Sequence, residues 1–150
     1  MTRHLLLLVH IAAAAAWLGA NFVQLTVGKR MLGQPDETAA RWAETTGRLV
    51  ATYYNVAGTL LGVTGVLLVL DGDWAWSSGF VAVGITALVI GGVLGVVEFG
   101  PQSKKIAAAA RAGDGPTFAR LVRRNAMAAV FDTLVVLTTI LAMVDKWRVG

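Results

Sequence analysis

Four long stretches of the chain are almost entirely apolar, and short polar connections separate them. They cover residues 5–27, 49–70, 79–99 and 126–144. At a rise of about 1.5 Å per residue, each stretch forms a helix roughly 28–35 Å long, which matches the hydrocarbon core of a bilayer. An alternation of period two is missing, and a backbone inside lipid must satisfy its own hydrogen bonds. The pattern therefore predicts an all-α, single-domain membrane protein, a four-helix bundle with four spans.

The basic residues predict how these spans are oriented. Ten of the 13 Lys and Arg residues lie in the first and third connections, and the second connection has none. Because cytoplasmic loops carry an excess of Lys and Arg, both termini are predicted outside and both basic connections in the cytoplasm, across a bacterial inner membrane. The chain then forms two helical hairpins. Trp74, Trp76 and Trp147 fall at the predicted outer boundary, where interfacial aromatic residues are common.

The composition excludes several classes of function. The mean hydropathy is +0.66, only 15% of residues are charged, and cysteine is absent. Disulfides, thiolate metal sites and cysteine nucleophiles are therefore excluded. The net charge of +4 resides in the connections, which argues against nucleic-acid binding. The sequence has no nucleophile–base pair, phosphate loop or zinc signature, so it identifies no catalytic residue and leaves open whether the protein is an enzyme.

Glycines at four-residue spacing mark the helix-packing faces. Gly58 and Gly62 form such a pair in the second span, and Gly91 and Gly95 form one in the third. Helices in lipid associate through close contact at small residues. These faces predict a tight bundle surrounded by the lipid bilayer, and they also suit a homodimer or a larger membrane complex.

Each span contributes one polar residue to a layer about 9–12 Å from the basic connections. The predicted buried polar layer consists of Asn21, Asn55, Glu98 and Asp132, with Gln24 slightly nearer the connections. Placing an acidic side chain inside a membrane costs free energy, so such residues usually have a structural or functional role.

Two roles are open for the acids Glu98 and Asp132. They can share a proton, bind a cation or position a ligand. Alternatively, they pair with backbone amides or with a basic residue and so lock the bundle together; the candidates are Arg30, Lys104 and Arg124.

His10 lies about 10 Å inside the opposite boundary and is expected to point inward. An inward imidazole can ligate haem iron, relay protons or hydrogen-bond a threonine such as Thr64. Haem b needs only one protein ligand, and Met143 is a weak second ligand near the same level. The sequence predicts no other metal site, because zinc and copper require several ligands.

The segment Leu-Leu-Val-His10-Ile-(Ala)5-Trp17-Leu-Gly19 resembles the first helix of a group of small bacterial membrane proteins. That group includes copper-resistance protein D-like domains, the four-helix membrane protoporphyrinogen oxidase and a related integral membrane family of unknown function, to which the likeness is greatest. Gly100-Pro101 and the segment from Phe131-Asp132-Thr-Leu-Val-Val-Leu to Met143-Val-Asp-Lys146 extend the resemblance.

The resemblance implies a four-helix bundle and, in the oxidase branch, a haem held by the first-helix histidine, whose position His10 matches. The oxidase branch also uses a lysine in its third helix, and residues 79–99 contain none. Three hypotheses follow. The first is haem-linked redox chemistry or haem handling. The second is a non-catalytic accessory subunit of a membrane complex, and the third is a proton- or cation-coupled small transporter.

Overall fold

The computed structural model describes residues 2–145, and this part of the chain contains helices and no strands. Four of its continuous helices are long and apolar enough to cross a membrane, which confirms the prediction of an all-α protein with four helices of membrane-spanning length. Lys146, Trp147 and Arg148 lie outside the described residues. The elements in chain order are α1 (Thr2–Met31), α2 (Glu37–Leu49), π1 (Val50–Tyr54), α3 (Asn55–Asp71), α4 (Gly79–Val93), π2 (Leu94–Phe99), α5 (Gly100–Arg111) and α6 (Gly115–Asp145).

Two short π-helical segments join neighbouring α-helices into single long helices. Through π1, α2 and α3 become the second long helix, Glu37–Asp71, and through π2, α4 and α5 become the third, Gly79–Arg111. Helices α1 and α6 are the first and fourth. Each π turn is wider than an α turn and is a recognised cause of bending in a helix.

The first and third connections, which lie between basic residues, are short, and an aspartate side chain in each one begins the next helix. Asp36 begins α2, since its carboxylate accepts a 2.8 Å hydrogen bond from the backbone N–H of Ala39. Asp114 does the same for α6 through the N–H of Thr117. Gly113 has a φ of 65°, a left-handed conformation that glycine adopts without strain, and it turns the chain between α5 and α6. We call the end of the bundle with these two connections the basic end.

A compact apolar cluster holds the basic end together. Small residues of α2 pack against α5, and Phe118 of α6 closes the cluster. The approach is close: a β-carbon at Gly47 would collide with the hydroxyl of Ser103. The buried residues of this cluster are Ala39, Ala40, Ala43, Ile106, Ala107, Ala109, Ala110 and Phe118.

Away from the basic end, the second and third long helices separate. They are joined at one end by the connection 72–78 and at the other by the α2–α5 contact, but α3 and α4 touch much less than α2 and α5 do. Helix α1 packs along α3 and touches α6, and α6 packs along both α4 and α5. The first and fourth helices therefore form the floor beneath a gap between the second and third.

The outer surface of the bundle is apolar. Valine and leucine side chains such as Leu8, Val56, Val96 and Leu134 are largely exposed in the isolated chain. A protein in water would not leave so many large apolar side chains uncovered, whereas lipid is a suitable surrounding for them.

Candidate ligand cleft

The gap between the second and third long helices is a cleft of about 1910 Å³, to which all four long helices contribute lining residues. It is open at the side, because exposed residues of both helices border it, among them Asn55, Thr59, Gly92 and Val96. Its walls are mainly apolar and rich in glycine. A cleft of this kind can admit a ligand sideways from a bilayer.

Trp17 of α1 occupies the deep end of the cleft, with its six-membered ring against glycines of two other helices. A β-carbon at Gly58 would lie 3.0 Å from Cζ3 of Trp17, and one at Gly91 would lie 2.8 Å from Cζ2. Only a residue without a side chain fits comfortably at such distances. The glycines therefore make room for a tryptophan from the first helix.

The other two glycines of the predicted packing faces make different contacts. A β-carbon at Gly62 would lie 3.1 Å from a methyl group of Leu88, so this position is also close-packed. At Gly95 the nearest atom is Cγ1 of Val50 at 3.7 Å, an ordinary van der Waals distance. Gly62 therefore belongs to a tight helix contact, and Gly95 belongs to the looser wall of the cleft.

Asp132 lies beside Trp17 and is almost completely buried, with 3% of its surface exposed. Its Oδ2 atom accepts hydrogen bonds from Nε1 of Trp17 at 3.1 Å and from Nδ2 of Asn21 at 2.8 Å. Within residues 2–145, no ion pair includes Asp132. The carboxylate joins the first helix to the fourth at the floor of the cleft.

Hydrogen bonds extend this cluster toward the basic end. Oδ1 of Asn21 accepts a 2.8 Å bond from the hydroxyl of Tyr54, and Gln24 donates to the same hydroxyl at 3.5 Å. The ring of Tyr54 meets Trp17 edge to face, with 5.4 Å between centroids. The chain of bonds therefore connects Gln24, Tyr54, Asn21 and Asp132.

Tyr54 occupies the position in the polar layer that was predicted for Asn55. Asn55 is exposed at the edge of the cleft, and its Nδ2 donates to the backbone carbonyl of Ala51 at 2.9 Å. The wide π1 turn comes immediately before Asn55 and shifts which residue faces the first helix. A straight α-helical projection cannot show this shift, although the pair Tyr53–Tyr54 in an apolar span was a usable signal.

Glu98 forms a separate polar contact, apart from Asp132. Its two carboxylate oxygens accept from Nε and Nη2 of Arg124 at 2.7 and 2.5 Å, and Gln102 donates to Oε1 at 3.1 Å. A guanidinium matches a carboxylate well in this two-point geometry. Of the basic partners predicted for the acids, Arg124 pairs with Glu98, and within residues 2–145 Glu98 and Asp132 share no hydrogen-bond or ion-pair partner.

His10 lies against α3 and does not line the cleft. Its Nδ1 is 2.9 Å from Oγ1 of Thr64, whose hydroxyl donates to the carbonyl of Leu60 at 2.5 Å. Because the threonine hydroxyl already donates to a backbone carbonyl, its oxygen can accept a hydrogen bond from Nδ1 of His10 in the tautomer that carries a proton there.

The predicted second haem ligand packs elsewhere. Cε of Met143 would lie 2.5 Å from a β-carbon at Gly84 on α4, whereas His10 lies against Gly65 on α3. The cleft lining contains no histidine, cysteine or methionine, and residues 2–145 hold no cluster of three His, Asp or Glu side chains able to bind a metal ion. The structure thus places Met143 and His10 against different helices, and haem at His10 remains a prediction.

Basic side chains gather where the cleft meets the basic end. Lys29, Arg48, Lys104 and Lys105 all line it there. The acidic residue among them, Glu44, is held by Arg111 through a 2.7 Å ion pair. The mouth of the cleft is therefore electropositive, while its deep end carries Asp132.

No family model, curated protein or solved structure matches this chain. The resemblance to the copper-resistance D-like and oxidase group therefore remains a prediction, and the cleft is the feature from which a function can be inferred.

Proposed function

We propose that this protein binds an anionic amphiphile that enters the cleft sideways from the bilayer. The ligand places its head group among the basic residues at the mouth and its apolar body along the glycine-rich walls toward Trp17. The observation that carries this proposal is a single cleft of about 1910 Å³ that combines apolar walls, a side opening and a basic mouth. Its volume exceeds that of most small-molecule sites, so it is large enough for a lipid-sized ligand.

Charge favours an anionic head group over a neutral one. Two lysines from the third helix, Lys104 and Lys105, lie at the mouth together with Lys29 and Arg48 from the first and second. Glu44 is paired with Arg111, and no ion pair among the described residues includes these four cations, so they are available to an outside anion. Ion pairs at such a partly dehydrated boundary are stronger than those in bulk water.

The orientation follows from the same charges. We propose that the basic end faces the cytoplasm of a bacterial cell, that both termini are outside, and that the chain forms two hairpins in the inner membrane. The head group then comes from the cytoplasmic leaflet, whose anionic lipids attract juxtamembrane basic residues.

Tryptophan fluorescence provides the test, because Trp17 lies at the deep end of the cleft. The protein is prepared in nanodiscs with Trp42, Trp74, Trp76 and Trp147 replaced by Phe, so that Trp17 is the remaining emitter. Stearic acid brominated on its chain is compared with its uncharged methyl ester. We expect the acid to quench Trp17 at concentrations at which the ester has little effect. Equal quenching by both would overturn the proposal.

Two matched double variants distinguish binding by the basic residues at the mouth from attraction to the general positive charge at the basic end. Lys104→Gln with Lys105→Gln removes two charges that line the cleft, whereas Arg30→Gln with Arg123→Gln removes two charges from the same end that do not. We expect only the first pair to abolish the preference for the acid. A similar loss of this preference in both double variants would show that quenching depends on the surface charge of the protein and not on binding in the cleft.

The other hypotheses remain predictions with direct tests. Haem handling requires a Soret band in the purified protein that is lost in His10→Ala. An accessory subunit requires co-purification with partner subunits from native membranes, and cation-coupled transport requires a liposome flux that Asp132→Asn reduces.

A further inference from the structure

The carboxylate of Asp132 uses only one of its two oxygens within the bundle. Both hydrogen bonds, from Trp17 and Asn21, go to Oδ2, and no hydrogen bond to Oδ1 occurs among the described residues. Oδ1 lies 3.7 Å from the position that a β-carbon of Gly91 would take, so it faces the glycine wall of the cleft.

Oδ1 is not fully enclosed. Across residues 2–145, no fully buried side-chain oxygen or nitrogen lacks a hydrogen bond, so the unbonded Oδ1 retains some exposed surface. Asp132 is a lining residue of the cleft, and no cation among the described residues pairs with it. A carboxylate oxygen left unbonded in apolar surroundings is costly, and a donor brought by a ligand removes that cost.

We infer that Oδ1 of Asp132 selects an amphiphile that carries a hydrogen-bond donor, a hydroxyl or N–H group, within its apolar body. This inference rests on the proposed function, since it describes what the same cleft recognises at its deep end. The ligand class is therefore an anionic amphiphile with an internal donor, in contrast to a simple hydrocarbon chain.

The spacing along α1 gives the place of this donor in the ligand. Asn21, which donates to Asp132, precedes Lys29 at the mouth by eight residues, or about 12 Å of helix. A head group at the mouth and a donor at Oδ1 are therefore separated by roughly half of an extended acyl chain. The donor belongs in the middle of a stearic acid chain and not beside its carboxylate.

Four probes test this selection with the Trp17 reporter. They are stearic acid, stearic acid hydroxylated in mid-chain, stearic acid hydroxylated next to the carboxylate, and stearic acid with a mid-chain ketone. In the unaltered cleft we expect the mid-chain hydroxy acid to bind about tenfold more tightly than stearic acid, a ratio typical of one hydrogen bond to a charged acceptor. The other two probes lack a donor at the required depth and gain nothing.

Asp132→Asn reverses the chemistry with little change of shape. The amide oxygen is required by the two donors Trp17 and Asn21, so the amide NH₂ takes the position of Oδ1. The site then offers a donor where it offered an acceptor. We expect the affinity of the variant for the mid-chain ketone to rise relative to its affinity for stearic acid, and a cooperative thermal unfolding transition shows that the variant is folded.

The outcomes distinguish this inference from the proposed function. If no fatty acid quenches Trp17 in a charge-dependent way, the proposed function fails. If all four acids bind alike, or if the unaltered protein prefers the ketone, the cleft binds amphiphiles without Asp132 as the acceptor and the inference alone fails. Because a hydroxyl can also accept from the amide that Asp132→Asn introduces, the ketone gives the decisive result: if its affinity relative to stearic acid does not rise in this variant, the inference is overturned as well.

Discussion

The indole Nε1 of Trp17 donates a 3.1 Å hydrogen bond to Oδ2 of Asp132, and this bond joins the first and fourth helices at the floor of the cleft. The same indole ring fits between Gly58 of the second helix and Gly91 of the third. Trp17 therefore contacts all three other helices. One side chain fixes how close the helices approach and where the cleft ends.

Trp17→Phe removes the hydrogen-bond donor together with part of the ring that lies between the two glycines. We expect Trp17→Phe to lower the free energy of unfolding in mixed micelles by about 1.5–3 kcal/mol, because a buried carboxylate loses a donor. Trp76→Phe is the control: Trp76 is half exposed, and its replacement should change stability by less than about 0.5 kcal/mol. Equal effects of the two changes would contradict a special role for Trp17.

Two adjacent glycines of α4 are expected to differ sharply in their tolerance of a methyl group. Gly91→Ala places a β-carbon 2.8 Å from Trp17, so we expect a loss of about 1–3 kcal/mol from overpacking. Gly92→Ala meets nothing within 4 Å and should be neutral or slightly stabilising, as alanine favours a helix. Unfolding of both variants in the same micelles provides the measurement, and an intolerant Gly92 would contradict the structure.

The contact between Glu98 and Arg124 is expected to stabilise the basic end. Arg124→Gln leaves a mostly buried carboxylate without its cation, whereas Arg123→Gln removes an exposed neighbouring charge of the same sign. We expect a lower melting temperature for Arg124→Gln than for Arg123→Gln. Adding Glu98→Gln to Arg124→Gln should recover part of that loss, because the unpaired charge is then gone. A double variant less stable than Arg124→Gln alone would argue against the pair.

Asp114 is expected to give the start of α6 a measurable pH dependence. Hydrogen bonds from the hydroxyl and the backbone N–H of Thr117 hold the pKa of Asp114 below its ordinary value. A carboxyl group with a lowered pKa in the folded state contributes stability above its ordinary pKa, and that contribution disappears as the pH falls through the lowered value. Asp114→Ala should therefore lower the melting temperature at neutral pH but not in acid.

Asp114→Asn supplies the control for this titration. Asparagine also begins helices well, but it has no charge to lose. Its melting temperature relative to that of Asp114→Ala should therefore remain constant across the same pH range. If the melting temperatures of both the unaltered protein and Asp114→Asn fell to that of Asp114→Ala in acid, a group other than Asp114 would be responsible for the pH dependence.

The sequence alone determined the number and kind of helices. Four apolar stretches of membrane-spanning length allow no other backbone, because lipid offers no partner for peptide groups. The start of α2 at Asp36 also follows from the sequence, since a short acidic side chain satisfies the first free N–H groups of a helix. These features depend on residues that are close together in the sequence, so the sequence alone is enough to predict them.

The tertiary structure decided which side chains meet. Three outcomes required it: the place of Trp17 between two glycines, the choice of Arg124 for Glu98, and the exchange of Asn55 for Tyr54. Each depends on which helix faces which and on a shift of register within a π turn. A register shift of one residue rotates the side chains by about 100° around the helix axis, and the pattern of apolar and polar residues does not reveal such a shift.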